Sequence, residues 1–259
     1  MKLAIIGAGK MGGAIMQGAL KAGVLKPNEV GIYDVNEALT AQLQKDYGIN
    51  VLTSDDLTDA ERMLLAVKPQ IFEKVVPVVK NKVEAYLSIM AGIPAGNIAD
   101  SVASKRVVRL MPNLGAAVGQ SATAMAALDE CTDEDVAFTK ELFSAIGKVY
   151  PMPERLINAF TGLAGSSPAF VALFAEALAD GGVRMGFSRE MAKDIAHQVL
   201  AGTAAILADK NPADLKDEVS SAGGTTIAGV KALEKNAFRH TVMQAVEDAT
   251  RRGEELANG

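Results

Sequence analysis

The 259-residue chain carries 26 Lys and Arg against 31 Asp and Glu, a formal net charge of −5, with 49% apolar residues and no Trp. Disordered and fibrous classes are excluded, and a chain this long folds as one large or two ordinary domains that bury roughly three quarters of the unfolded surface. The mild acidity, with only four Tyr and eight Phe, lacks the cationic field and stacking platforms of a nucleic-acid binder.

The first half alternates short apolar runs with amphipathic segments, the pattern of βαβ units on a parallel sheet. Strands are expected at Leu3–Ile6, Glu29–Tyr33, Met63–Val67, Tyr86–Ile89 and Val107–Leu110, with a weaker one at Ile49–Leu52. Their apolar character on both faces suits strands covered by helices on each side. The opening run breaks at Gly7 and meets Lys10, so it reads as a strand and not as a signal peptide. A helix is expected over 132–146: Thr132 is its N-cap, with Asp135 three residues on. Phe138, Leu142 and Ile146 form its apolar stripe, and Gly147 follows its end. This helix is expected to close a first domain, 1–152.

Beyond Pro151 and Pro153 the strand-like runs stop and Ala-rich helical patterns continue through a second domain, 153–259. From Pro168 to Ala175 the helix is apolar on every side and must be buried all round. The expectation is an oligomer whose second domain is largely interface; the alternative is the central helix of a monomeric bundle. No membrane span is expected, because Glu176 and Asp180 interrupt this segment. The single cysteine, Cys131, forms no intrachain disulfide, which points to a cytoplasmic location.

Two segments carry chemistry. The first strand runs into Gly7-Ala8-Gly9-Lys10-Met11-Gly12, a GxGxxG turn that lets a pyrophosphate approach the backbone at a helix N-terminus. Asp34 ends the second strand, 22 residues beyond Gly12. There a carboxylate accepts hydrogen bonds from an adenosine ribose and repels a 2′-phosphate, which favours NAD(H) over NADP(H); the competing reading makes Asp34 a helix cap. At the carboxyl edge of the sheet Val67-Lys68-Pro69 and Ala91-Gly92 are candidates for cofactor contact, with Lys68 equally readable as a solvated surface residue.

The second segment is Val219-Ser220-Ser221-Ala222-Gly223-Gly224-Thr225-Thr226, just before another helical pattern. Glycines and hydroxyls at a helix start make a second anion cradle, suited to a small carboxylate; the alternative is a capped helix–helix turn. The two His, His197 and His240, sit within helical patterns and read better as structural than catalytic, and Cys131 and the His lack the spacing of a metal site. An electrophile that needs no protein acid, such as a protonated imine, fits this inventory.

At this point the chain resembles the pyrroline-5-carboxylate reductase family over essentially its whole length. The resemblance rests on the Gly7–Gly12 turn, Ala66-Val67-Lys68-Pro69, Arg109-Leu110-Met111-Pro112-Asn113, the stretch Thr161–Phe170, Ala179–Val183, and above all Leu215–Ile227 with Ala232-Leu233-Glu234. It implies an α/β protein with an N-terminal Rossmann-type parallel-sheet domain followed by an all-helical dimerisation domain. It also implies hydride transfer from NAD(P)H to 1-pyrroline-5-carboxylate, giving L-proline in the last step of proline biosynthesis, and a homodimer or a ring of dimers. Ser221 with Gly223, Gly224 and Thr225 would hold the substrate carboxylate and Thr226 the ring nitrogen. Ala66, Lys68 and Pro69 would border the nicotinamide, with Asn113 a further cofactor contact that, like Gly165, would lie near the reacting ring. Ala222 and Ala164 depart from the family's usual Pro and Ser. Lys, expected four residues after Gly165 in a β-hydroxyacid dehydrogenase, is replaced by Ala169. A reductase of another cyclic imino acid and a non-catalytic NAD(H)-sensing protein stay open.

Overall fold

The computed structural model describes residues 1–258. Its strands and helices are, in chain order, β1 Leu3–Ile6, α1 Lys10–Lys21, β2 Val30–Tyr33, α2 Glu37–Tyr47, β3 Asn50–Val51, β4 Arg62–Leu65, α3 Phe72–Val79, β5 Ala85–Ser88, α4 Ala95–Val102 and β6 Arg106–Pro112. There follow β7 Ser121–Ala127, α5 Asp133–Ser144, β8 Gly147–Pro151, α6 Ile157–Phe160, α7 Ser167–Arg184, α8 Arg189–Ile206, α9 Pro212–Glu218, α10 Thr225–Lys235 and α11 Phe238–Asn258. The chain divides into two compact units: Met1–Gly165, joined by residues from Ala249 onward, and Ser166–Asp248. The change from strands to helices falls after Pro151 as expected, whereas the contact division falls later, after Gly165.

The first unit is an 8-stranded sheet in the order β3-β2-β1-β4-β5-β6-β7-β8. All neighbours run parallel except β6 with β7. Side-chain alternation supplies two cores. Leu3 and Ile5 face Ile15, Met16, Leu142, Phe143 and Ile146 on one side. Ala4 and Ile6 face Met63, Leu65, Phe72, Tyr86, Ile98 and Val102 on the other. Strand order reverses about β1, so the ends of β1 and β4 flank the switch point where α/β sheets bind ligands.

Sequence reading missed β7 and β8. The Ser-Ala-Thr-Ala-Met-Ala-Ala of β7 has only Thr123 with β-branched character, so its pattern gives little strand signal. Helix α5 stops as expected, but Gly147 then opens β8 with φ +150°; a Cβ there would meet the Ser121 carbonyl oxygen at 2.0 Å. Helix α5 therefore does not close the first unit.

The capping box at the start of α5 is present: Thr132 Oγ1 accepts from Asp135 N at 3.2 Å and Asp135 Oδ2 accepts from Thr132 N at 3.1 Å. The same carboxylate, 1% exposed, accepts from Arg62 Nε at 3.2 Å and Arg106 Nε at 2.8 Å. Burial alone would raise its pKa, but the Arg106 hydrogen bonds, the Thr132 amide and hydroxyl and the Arg106 charge outweigh it and hold the pKa at about 2. Arg62 also lies over the Phe138 ring, 4.6 Å from its centroid. This network fastens α5 to the starts of β4 and β6.

In the second unit α7 and α8 pack closely, and a Cβ on Gly182 would come within 3.0 Å of the Ala192 Cβ. Its buried core, however, is Ala179, Ala192 and Ala196, with Val183 packed beside them. A buried methyl contributes about 0.8 kcal/mol, while ordering one residue's backbone costs about 1–2 kcal/mol. Val171, Leu173, Met191, Ile195 and Val199 all stand exposed. The helical run Glu154–Arg184 is, by length and composition, apolar enough to cross a membrane, with 11% of its most apolar window buried within this chain.

Candidate active site

The Gly7–Gly12 turn joins β1 to α1 in a geometry that only its glycines permit. Gly7 has φ +99°, and a Cβ there would meet the Ala66 carbonyl oxygen at 2.9 Å. A Cβ on Gly12 would lie 2.2 Å from the Gly7 oxygen. At Gly9, by contrast, nothing lies within 4 Å of that direction, so open space fronts the first amides of α1. Gly9 is the N-cap, no side chain caps the helix, and its first turn contains no acidic residue. Lys10 is exposed and Met11 half-buried. Uncapped N–H groups, the positive end of the helix dipole and open space are what a pyrophosphate requires. A cleft of about 1090 Å³ opens beside the turn, with Gly9, Lys10, Met11, Leu39, Leu114 and Val118 on its walls.

Asp34 does more than end β2. Its Oδ2 accepts from the Ala8 amide at 2.7 Å and its Oδ1 from the Asn36 amide at 2.9 Å. The cap of α2 is Asn36, whose Oδ1 accepts from Leu39 N at 3.1 Å, so the capping alternative for Asp34 falls away. Its carboxylate instead ties the glycine turn to β2, a long-range bond that sequence spacing does not announce.

Ala66 extends the ladder beyond β4, its amide donating to Ile6 O at 2.8 Å, and Val67 lies against the direction of a Gly7 Cβ at 3.1 Å. Lys68 is exposed and precedes a short 3₁₀ turn begun by Pro69. Asn113, directly after β6, is half-buried and bonded to protein: its Oδ1 accepts from Gly115 N and Ala122 N, both at 3.2 Å, and its Nδ2 donates to Ala164 O at 2.9 Å. Arg109 from the same motif, midway along β6, is buried and paired with Glu154 at 2.9 Å. Glu154 Oε1 also accepts from Ala95 N, the first amide of α4, at 2.7 Å.

The second cradle lies at the start of α10. Gly223 has φ +68°, and the Gly224 amide donates to Ser221 O at 3.0 Å, closing a turn. A Cβ on Gly224 would meet Ser221 Oγ at 2.4 Å, so glycine lets this hydroxyl sit against the helix start. Gly224 is the N-cap, again without a side-chain cap. Ser221, Gly223, Thr225 and Thr226 are exposed, whereas the Ser220 hydroxyl is turned away and donates to Lys216 O at 2.7 Å. The chain thus builds two uncapped helix N-termini behind glycine turns, one in each unit.

Comparison with known proteins decides the lineage. A family model for pyrroline-5-carboxylate reductase dimerisation matches residues 154–256, and one for NADP oxidoreductase, coenzyme F420-dependent, matches residues 2–92. The pyrroline-5-carboxylate reductase of Thermus thermophilus is 47% identical over 99% of this chain and 98% of its own. The chain belongs to the pyrroline-5-carboxylate reductase family. A solved structure of that reductase from Coxiella burnetii superposes with a TM-score of 0.91 at 25% identity, covering 98% of each chain. The pyrroline carboxylate reductase of Plasmodium falciparum, solved with NADP bound, gives 0.86 at 28% identity, covering 99% of this chain and 98% of its own. Family membership makes the second unit a dimerisation domain and the protein a nicotinamide-dependent oxidoreductase, which accounts for the apolar faces of α7 and α8.

Proposed function

We propose that this protein reduces 1-pyrroline-5-carboxylate to L-proline with NAD(P)H, as a cytoplasmic homodimer or ring of dimers. The observation that carries the reading is the α10 N-terminus, uncapped behind Gly223 and Gly224 with the Ser221 hydroxyl against it. It is a site for a carboxylate small enough to sit on a few amides. Gly223, Gly224, Thr225 and Ser221 hold the substrate carboxylate, and the Thr226 hydroxyl meets the ring nitrogen and orients the C=N bond.

The Gly7, Gly9 and Gly12 turn with Lys10 and Met11 holds the pyrophosphate of the dinucleotide, and Ala66, Val67, Lys68 and Pro69 border its nicotinamide. Once bound, the reduced nicotinamide supplies a hydride. A protonated imine accepts it without a protein acid in that step, consistent with a cradle whose side chains are hydroxyls. The Asp34 carboxylate, fixed by two amides, receives the adenosine ribose hydroxyls and disfavours a 2′-phosphate, so NADH is the better donor.

Purified protein with 1-pyrroline-5-carboxylate should oxidise NADH faster than NADPH and form L-proline. No turnover with either dinucleotide, from protein shown to bind one, would overturn the reading in favour of another cyclic imino acid or an NAD(H) sensor.

A further inference from the structure

Proline cannot donate a backbone hydrogen bond, and Pro168, in the first turn of α7, has none to offer the carbonyl of Ala164. Ala164 lies near the end of the π segment Thr161–Gly165, before Ser166, the N-cap of α7, and the residue four positions on is Pro168, which has no N–H. The π-helical segment Thr161–Gly165 makes the residue five along, Ala169, the next candidate donor, but the Ala169 amide donates to Ser166 O at 3.0 Å. The Ala164 oxygen is served from the sheet instead, by Asn113 Nδ2 at 2.9 Å.

Asn113 is held through its Oδ1 and its backbone as well. Its Oδ1 takes the Gly115 and Ala122 amides, and its own amide donates to Ser121 Oγ at 3.2 Å. The loop behind it is closed by the Gln120 amide on Gly115 O at 2.9 Å, at a glycine whose Cβ would lie 2.4 Å from the Gln120 oxygen. Three of the four side-chain hydrogen-bonding places are therefore filled by protein. One amide links the end of β6, the start of β7 and the π segment from which α7 departs.

We propose that Asn113 is a positioning residue: it anchors the π segment at the Ala164 carbonyl, so that its loss slows hydride transfer without loosening the dinucleotide. The proposal rests on the reductase reading above, and gives Asn113 a different role from the cofactor contact that family resemblance implies. Asn113→Asp keeps oxygen acceptors for the Gly115 and Ala122 amides but sets a carboxylate oxygen against the Ala164 oxygen. Pro168→Ala adds a backbone N–H four residues beyond that oxygen, a donor the parent chain lacks.

Full-length protein is assayed for kcat with saturating 1-pyrroline-5-carboxylate and NADH, and for NADH Kd by fluorescence titration. Asn113→Asp should lower kcat by about 10- to 100-fold, the scale of a small misplacement of reacting groups, and leave the Kd within about twofold. Pro168→Ala alone should stay within about twofold of the parent, and in the Asn113→Asp background should recover at least about a third of the lost kcat. If Asn113→Asp does not fold, Asn113→Ser, neutral and too short for the clamp, takes its place with the same expected pattern. An NADH Kd raised about tenfold would make Asn113 a cofactor contact, and a kcat loss that Pro168→Ala leaves untouched would remove the Ala164 carbonyl from the account; either overturns the proposal. Failure of the parent protein to turn over this substrate would instead count against the reductase reading.

Discussion

The two units solve the problem of burial in opposite ways. In the first, alternate residues of one sheet enter two cores built from Leu, Ile, Met, Phe and Tyr, and an ion-pair network ties α5 to the strand starts. In the second, the buried side chains among the described residues are four alanines, Ala175, Ala179, Ala192 and Ala196, while Leu173, 67% exposed, and its neighbours face outward. A core of that size cannot offset the entropy of ordering the helices. The first unit is organised around its own sheet, whereas the second, which matches a dimerisation domain, leaves the apolar faces of α7 and α8 exposed within the single chain.

The comparison is tested most severely by a charge on the apolar face. Leu173→Asp should dissociate the oligomer and abolish turnover, while NADH binding by the first unit survives, since an unpaired carboxylate in an interface costs several kcal/mol. Light scattering with NADH titration checks it, and an intact active dimer would return α7 to a surface role. In the first unit Asp135→Ala should cost about 3–5 kcal/mol in denaturant unfolding, because Arg62 and Arg106 lose their shared buried partner.

Thr226→Ala should lower kcat/KM by roughly 10- to 1000-fold, the range for lost hydrogen bonds to a charged group; near-parental kinetics would remove Thr226 from the site. The Asp135 pKa, depressed to about 2, makes a gentler probe. Its stabilisation is complete above the unfolded value near 4 and is lost as pH falls toward about 2, by about 2 kcal/mol, and Asp135→Ala should lack that step. Asp34→Ser should produce the smallest change, a several-fold rise in the NADPH to NADH ratio of kcat/KM with some weakening of both, since the Ala8 amide loses its carboxylate.

What was legible in the sequence follows the range of the forces involved. Strands β1, β4 and β5 announce themselves because burial on both faces demands continuous apolar runs, and Thr132 with Asp135 announces α5 through a three-residue spacing. Both glycine turns were visible for the same local reason. Strand β7 was hidden because alanine carries little strand preference and its pairing with β6 is long-range. The bonds of Asp34 to Ala8, Glu154 to Arg109 and Asn113 to Ala164 join residues 26, 45 and 51 positions apart, beyond any periodicity. The Asn113 clamp was not legible: Pro168 reads as an ordinary first-turn proline of α7, and nothing local tells that Asn113 meets the Ala164 carbonyl.

Under the proposed function, hydride passes from a dinucleotide bound at the Gly7–Gly12 turn to an imine whose carboxylate is held at an α10 N-terminus. The most direct measurement supplies NADH deuterated at the transferring C4 position together with 1-pyrroline-5-carboxylate, and locates the label in the product by NMR. L-Proline with one deuterium at C5 is expected on this reading. Proline formed without the label, or label found only in solvent, would contradict it.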